Sequence, residues 1–179
     1  MIFRETEVAG AWVVEPQRQA DSRGFFARTW CRREFANQGL QTDLAQCNTS
    51  WNAVRGTLRG LHLQAPPHAE AKLVRCTRGA LIDVVLDLRP ASPTYLKHAS
   101  VTLTWENRLA LYLPEGCAHG FQTLEDETEI FYQMSAFYAP GAGRGVRWDD
   151  PAFGIAWPIQ PPILSERDAT WPAYRREAP

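Results

Sequence analysis

The sequence predicts an all-β protein. Short apolar runs recur along the chain and are separated by turns rich in Gly, Pro, Asp and Asn. Many short strands broken at regular intervals are typical of a sandwich or a barrel. Residues 80–88 form a nearly continuous apolar run rich in β-branched residues, which predicts a strand covered on both faces. We expect the 179 residues to form one domain, 1–179, with a sizeable core.

The first part of the chain favours two strands and one helix. Residues 8–16 favour a strand that ends at a proline, and residues 25–30 favour a second strand. Between them, residues 21–24 have the composition of a turn, because Asp and Gly suit turn backbone conformations. Residues 31–38 suit a short helix, which Gly39 would stop.

Residues 46–64 begin with small polar residues typical of a loop and end in a strand. In residues 57–64, leucine alternates mostly with polar or small residues, as in a half-buried strand. The alternation offers four polar side chains to a cavity or to solvent: Thr57, Arg59, His62 and Gln64. Gly60 indicates a bulge or a close backbone approach, which would let Arg59 and His62 share a face. The two side chains indicate a functional site, and the alternative is an exposed strand with an incidental histidine.

The rest of the chain continues the β pattern. A turn at residues 78–79 separates strands over residues 72–79 and 80–88. Further strands are predicted over residues 99–104, 108–113, 121–124 and 127–137. In this part of the chain only residues 165–171 favour a helix, with Ser165 as its N-cap.

Composition and charge exclude several classes of protein. The formal net charge is −1, so bulk electrostatics favours neither nucleic acid nor an anionic membrane surface. The apolar runs are shorter than a membrane span, and residues 1–7 are too charged for a signal peptide. The cysteines have no paired spacing that would indicate a zinc or redox motif: Cys31, Cys47, Cys76 and Cys117. We therefore expect a cytoplasmic protein with reduced thiols.

Residues 114–121 carry a Pro-x-Gly-x-x-His pattern that resembles the second conserved box of the cupins. The resemblance implies a cupin-like double-sheet jelly roll, with the two short helices at its periphery. Cupins that hold a metal usually carry His-x-His in their first box, whereas the matching place here reads His62-Leu63-Gln64. A metal would need two or three converging imidazoles and a carboxylate, and the chain has only four histidines. We expect no metal.

A larger set of motifs follows one order from about residue 8 to about residue 168: residues 21–26, 46–64, 72–74, 87–89, 92–95, 114–121, Tyr132 with Tyr138, 148–151, 157–158 and 165–168. Together these motifs resemble the dTDP-4-dehydrorhamnose 3,5-epimerase family of nucleotide-sugar epimerases. The resemblance implies inversion at carbons beside a ketone, on a deoxyhexose attached to a nucleoside diphosphate. It implies no cofactor. It also implies a homodimer, in which shared strands would let both chains supply site residues.

The resemblance assigns the proton-transfer roles. Inversion through an enolate needs a base on one face of the sugar, a proton donor on the other and a cation near the oxygen. His62 matches the base, which Asp168 would orient, and imidazole suits this task at neutral pH. Tyr132 matches the donor and Lys72 the cation. Each of the last three has a structural alternative: a helix cap for Asp168, a core tyrosine for Tyr132 and a surface lysine for Lys72.

Seven further residues match substrate contacts of the family: Arg23, Gln46, Asn48, Arg59, His119, Tyr138 and Arg167. Arg23 and Arg59 match groups that hold the diphosphate, where a planar guanidinium gives paired hydrogen bonds. Tyr138 matches an aromatic ring that stacks on the base or sugar, and its alternative role is a turn anchor. The alternative for His119 is a histidine satisfied beside the turn at Gly116.

Three positions depart from the thymidine-specific members of the family. Arg28 and Gly143, which Arg144 follows, stand where acids are usual, and Arg167 stands where a lysine is usual. The first two match nucleotide contacts, so the base preference stays open. The alternatives are a 3-epimerase or keto-isomerase for another nucleotide sugar, and a non-catalytic cupin that binds one. The facing donors implied by Tyr132 and the His62–Asp168 pair favour an epimerase.

Overall fold

The computed structural model describes residues 1–175 as two packed antiparallel sheets with two short helices. In chain order the elements are β1 Ile2–Glu5, β2 Trp12–Glu15, β3 Gln19–Asp21, β4 Gly24–Phe26, α1 Arg32–Asn37, β5 Gln46–Asn52, β6 Leu58–Gln64, β7 Lys72–Arg78, β8 Ala80–Asp87, β9 His98–Thr104, β10 Ala110–Leu113, β11 Cys117–Thr123, β12 Thr128–Met134, β13 Gly143–Gly145 and α2 Glu166–Ala169. No helix in these residues is long and apolar enough to span a membrane.

The sheets have six and five strands. The six-stranded sheet has the order β1-β2-β10-β7-β12-β5, and the five-stranded sheet has the order β13-β6-β11-β8-β9. Strands β3 and β4 form a separate two-stranded hairpin. The predicted all-β, double-sheet jelly roll is therefore confirmed.

The apolar strand β8 lies in the middle of the core, as its composition predicts. Val85 is fully buried in a cluster with Val74 of the opposite sheet. Its neighbour Val84 is also fully buried, but in a second cluster with Trp157 on the other face of the five-stranded sheet. Each such side chain contributes roughly 1.5–3 kcal/mol by leaving water. The two-sided burial explains why this strand shows no alternation of polar residues.

Two strands predicted near the N-terminus are shorter than expected. Within residues 8–16 only Trp12–Glu15 is a strand, because the chain first turns at Gly10, whose φ is +79°. Val8 is apolar because it is buried in the core, and strand pairing plays no part. Within residues 25–30 the strand ends at Phe26, which pairs with Gln19, the first residue of the hairpin partner β3.

Strand β5 was not expected, since its polar residues suggested a loop. It lies at the edge of the six-stranded sheet and pairs with β12 from Gln46–Met134 to Asn52–Thr128. An edge strand has one side without a neighbour, so polar residues fit it well. The prediction also missed β1, β3, β13 and the first half of β11.

Both predicted helices are confirmed, with small differences at their ends. Helix α1 lies within residues 31–38, and Gly39 follows it with a φ of +69°. Helix α2 starts as expected, because the Asp168 N–H donates to Ser165 Oγ at 3.2 Å. It ends at Ala169, two residues before the predicted end.

Gly60 allows β6 and β11 to approach closely, as predicted. Its φ is +132°, and a Cβ atom there would lie 2.5 Å from the Cα of Gly120. The pairing register of the two strands shifts at this point, between His119 and Phe121. As a result His62 lies directly opposite His119 in the strand pair.

Candidate active site

All the predicted site residues except Arg23 line two adjoining cavities between the sheets, of about 390 and about 330 Å³. Four residues line both cavities: His62, Lys72, Tyr132 and Arg167. The first cavity continues toward Gln46, Asn48 and Tyr138, and the second toward Arg59, His119 and Asp168. We refer to the two together as the cleft.

His62 and Asp168 form a close pair at one wall of the cleft. The Nε2 atom of His62 lies 2.5 Å from Oδ1 of Asp168, although the residues are 106 positions apart. Burial raises the pKa of Asp168, but hydrogen bonds from His62, Ser165 and the Gly60 backbone outweigh it, so the pKa is lowered. The ionised carboxylate holds Nε2 and leaves Nδ1 to accept a proton. The backbone N–H of Asp168 also takes part in the cap of α2, while its carboxylate faces His62.

Tyr132 approaches the cleft from the opposite sheet. It lies on β12 of the six-stranded sheet, whereas His62 lies on β6 of the five-stranded sheet. The Tyr132 ring packs against the main core cluster, as the alternative of a core tyrosine predicts. The residue also lines the cleft. Burial raises the pKa of Tyr132, and the nearby charge of Arg59 opposes this only in part. The phenol is therefore protonated at neutral pH and able to donate.

Lys72 is largely buried, so the surface alternative is wrong. Its side chain is 11% exposed, and Nζ lies 2.9 Å from Oε1 of Glu70. Glu70 is itself almost fully buried and lines the cleft, yet sequence reasoning did not single it out. The sequence feature that indicates Glu70 as a partner of Lys72 is its position two residues before the lysine.

His119 and Arg59 also have polar partners inside the protein. The Nε2 atom of His119 lies 2.6 Å from Oδ1 of Asp83, which is fully buried. Sequence reasoning missed Asp83, although an acid in the middle of the apolar run of β8 calls for a buried partner. Arg59 Nε donates to Asn52 Oδ1 at 2.8 Å. Both side chains are thus oriented before any ligand binds.

The residues matched to nucleotide contacts lie at the far end of the first cavity. Gln46 Oε1 accepts from the Tyr138 N–H at 2.7 Å, and Gln46 Nε2 donates to Asn48 Oδ1 at 3.2 Å. The Tyr138 residue is 59% exposed, so its ring is accessible for stacking. Arg167 lies over the ring of Trp171 at 5.4 Å. A Cβ atom at Gly143 would come within 3.1 Å of the Arg167 guanidinium, so these two departures from the family pattern are neighbours.

The structure does not bring Arg23 to the cleft. It lies in the turn of the β3–β4 hairpin, its side chain is 87% exposed, and it pairs with Asp21 at 2.6 Å. It lines a different cavity, formed by residues 19–21 and 23–26. Arg28 pairs with Glu34 at 2.8 Å and lines neither cavity of the cleft.

The charges of the cleft suit an anionic ligand. Its cations are Arg59, Lys72, Arg144 and Arg167. Its acids, Glu70 and Asp168, are already paired with Lys72 and His62. Within residues 1–175, no group of three or more His, Cys, Asp or Glu side chains could hold a metal ion.

The fold and the cleft define a class of protein, the cupin-like jelly rolls. The cleft holds an imidazole–carboxylate pair, a lysine and a phenol, and these groups are suited to proton transfer at carbon. The model of the dTDP-4-dehydrorhamnose 3,5-epimerase family matches residues 5–176. The chain belongs to this family of isomerases.

Individual members of the family are similar to this protein over nearly the whole chain. The dTDP-4-dehydrorhamnose 3,5-epimerase of Sinorhizobium fredii is 44% identical over 97% of this chain and 89% of the relative. The crystal structure of that enzyme from Elizabethkingia anophelis superposes with a TM-score of 0.94, at 37% identity over 97% of this chain and 96% of the other. An epimerase from Legionella pneumophila, solved in complex with dTDP-4-keto-L-rhamnose, gives a TM-score of 0.88 at 29% identity, over 98% of this chain and 99% of the other.

Proposed function

We propose that the protein epimerises a nucleoside-diphosphate 4-keto-6-deoxyhexose at C3, C5 or both, through an enolate. The observation that carries the proposal is the placement of the His62–Asp168 pair and the Tyr132 phenol on opposite sheets of one cleft. Inversion needs a base and a donor on opposite faces of the reacting carbon. A protein that only binds a sugar nucleotide has no need for this pair.

In the proposed first half-reaction, Nδ1 of His62 removes the proton from the carbon beside the ketone. The electrons of the C–H bond form a C=C bond to the carbonyl carbon, and the C=O π electrons move to the oxygen. Asp168 stabilises the imidazolium that results. Lys72 stabilises the negative oxygen of the enolate, because its ammonium lines the same cleft.

In the second half-reaction the Tyr132 hydroxyl gives its proton to the other face of the carbon. The carbonyl then forms again, and the carbon has the inverted configuration. The phenolate regains a proton from water, and His62 releases its own to water. The hydrogen on the inverted carbon is thus exchanged with solvent. A keto-isomerase would move the carbonyl and would not require a donor on the face opposite its base.

The cations of the cleft support a diphosphate ligand. Arg59 and Arg167 line the same cavity as His62 and Tyr132, and guanidinium groups bind phosphate oxygens in pairs. The exposed ring of Tyr138 suits stacking on the base. The Legionella relative, which binds a thymidine nucleotide sugar, makes the dTDP sugar the first substrate to test.

We also propose a homodimer in which the β3–β4 hairpin of one chain supplies Arg23 to the cleft of its partner. The hairpin lies apart from both sheets, and its Phe25 and Phe26 are 44% and 68% exposed. Burial of these rings against a second chain would stabilise the dimer. The cytoplasm is the proposed compartment. It agrees with four free cysteines in the described residues, since disulfides persist in oxidising compartments.

The experiment that tests the proposed function is NMR of dTDP-4-keto-6-deoxyglucose incubated with the protein in deuterated water. Deuterium at C3 and C5 is expected for a double epimerase, and deuterium at C3 alone would define a 3-epimerase. Movement of the carbonyl would identify the keto-isomerase. No exchange with this sugar or with its UDP, GDP and CDP counterparts would contradict the proposal.

A further inference from the structure

Glu70 and Lys72 form an ion pair that is almost closed to solvent. Their side chains are 2% and 11% exposed, and Oε1 of Glu70 lies 2.9 Å from Nζ of Lys72. The other carboxylate oxygen, Oε2, is buried and has no hydrogen-bond partner among residues 1–175. Lys72 is therefore the group that holds this carboxylate in place.

Stability does not account for this pair. The loss of hydration of two buried charges often exceeds their attraction, and well-packed apolar residues would serve as well or better. The unpartnered Oε2 adds a further cost. The location accounts for the pair better, because both residues line the cleft together with His62 and Tyr132.

We propose that Glu70 is a positioning residue that keeps Lys72 charged and directed toward the oxygen of the enolate. The inference rests on the proposed function, in which Lys72 stabilises that oxygen. An ammonium removed from water tends to lose its proton unless an opposite charge holds it. A neutral amine would give the enolate a much weaker partner.

The other groups around Lys72 make Glu70 necessary. Three guanidinium groups line the same cleft and disfavour a further positive charge: Arg59, Arg144 and Arg167. Asp168 of α2 is committed to His62, and the Tyr132 phenol of β12 carries no charge at neutral pH. The β10 neighbour of Lys72 in the sheet is the apolar Leu113. Of the described groups that face Lys72, Glu70 is the carboxylate that can balance it.

The test uses Glu70→Gln, which keeps the shape and removes the charge. The chain contains two lysines, Lys72 and Lys97, so NMR of lysine labelled with ¹³C at Cε gives two signals that Lys97→Arg assigns. In Glu70→Gln we expect the Lys72 signal to titrate at least about one pH unit lower than in the parent protein. Lys97, outside the cleft, should titrate alike in both proteins.

Kinetics gives a second readout. Glu70→Gln should lower kcat for deuterium exchange about tenfold or more, leave KM within about twofold, and shift the alkaline limb of the kcat profile to lower pH. Glu70→Asp keeps the charge and should retain the parent alkaline limb at a reduced kcat. Glu129→Gln is a matched control, because Glu129 lines neither cavity and its Oε1 accepts from the Thr77 hydroxyl at 2.7 Å.

Unchanged titration of Lys72 in Glu70→Gln would overturn the proposal, whether or not kcat falls. This measurement needs no substrate. A parent protein that exchanges no hydrogen would contradict the proposed function, while the lysine titration would still decide the role of Glu70.

Discussion

At the scale of single residues, four of the five acids buried within residues 1–175 are each paired with a base or a cation. Asp83 and Asp87 are fully buried, and Asp168 and Glu70 are 3% and 6% exposed. Each acid lies beside a base or cation that can stabilise its charge: His119, Arg89, His62 and Lys72. Three of these pairs contribute a side chain to the cleft, and the fourth holds the turn after β8.

Asp87 gives a prediction about stability and pH. Burial raises its pKa, but hydrogen bonds from Arg89, Ser92 and Thr94 outweigh this and lower the pKa to about 2, from an ordinary 3.8. Because the folded state favours the ionised form, its contribution is complete above pH 3.8 and disappears as the pH falls through about 2. We expect Asp87→Asn to lower the free energy of unfolding by about 2–3 kcal/mol at pH 7.

Urea unfolding of parent and Asp87→Asn at pH 7, 4 and 2.5 measures this contribution. The difference between the two proteins should shrink at the lowest pH. Asp149→Asn is a suitable control, because Asp149 pairs with Arg147 on the surface and should contribute below about 1 kcal/mol. A difference that does not change with pH would show that Asp87 acts through packing alone.

At the scale of elements, the Asp168 carboxylate that pairs with His62 depends on a very short helix. Helix α2 has four residues, too few to be stable without tertiary contacts. Trp171, just beyond the helix, lies against β13 so closely that a Cβ atom at Gly145 would be 2.3 Å from its ring. The ring also lies 6.3 Å from the His62 ring and contacts Arg167. We infer that Trp171 fixes the helix that carries Asp168.

Trp171→Ala tests this role of the indole ring. We expect kcat for deuterium exchange to fall about tenfold or more, because a small displacement of Asp168 removes its contact with His62. The free energy of unfolding should fall by about 2 kcal/mol. Trp171→Phe, which keeps an aromatic ring, should recover most of the kcat. A normal exchange rate in Trp171→Ala would show that Ser165 and the contacts of Asp168 hold the helix without it.

At the scale of the whole molecule, the cleft lies between the sheets and the Arg23 hairpin lies outside it. If the hairpin completes the cleft of a partner chain, a heterodimer of Arg23→Ala and His62→Ala contains one intact site. Coexpression should give about a quarter of the parent activity from two variants that are each nearly inactive, since half of the randomly formed dimers then have one working site of two. Activity that remains at the level of the separate variants would contradict the shared site.

The sequence predicts those parts of the fold that have local causes. The apolar run of β8 and the capping residue Ser165 are recognisable without knowledge of the rest of the chain. Strand β5 is polar because it lies at an edge, and Val8 is apolar because of distant core contacts, so neither follows from local pattern. The same limit of local sequence pattern applies to the site. The resemblance implied the role of His62, but partners such as Asp83 come from nonlocal packing that spacing alone does not reveal.

The most direct test of the account compares exchange with inversion in Tyr132→Phe. If Tyr132 is the donor opposite His62, the variant should still exchange hydrogen with deuterated water, since the enolate can form and regain a proton on its original face. Inversion should fall by about 100-fold or more. NMR of dTDP-4-keto-6-deoxyglucose follows both processes in one sample, with His62→Ala as the variant that should lose both. Equal loss of exchange and inversion in Tyr132→Phe would contradict the placement of base and donor on opposite faces.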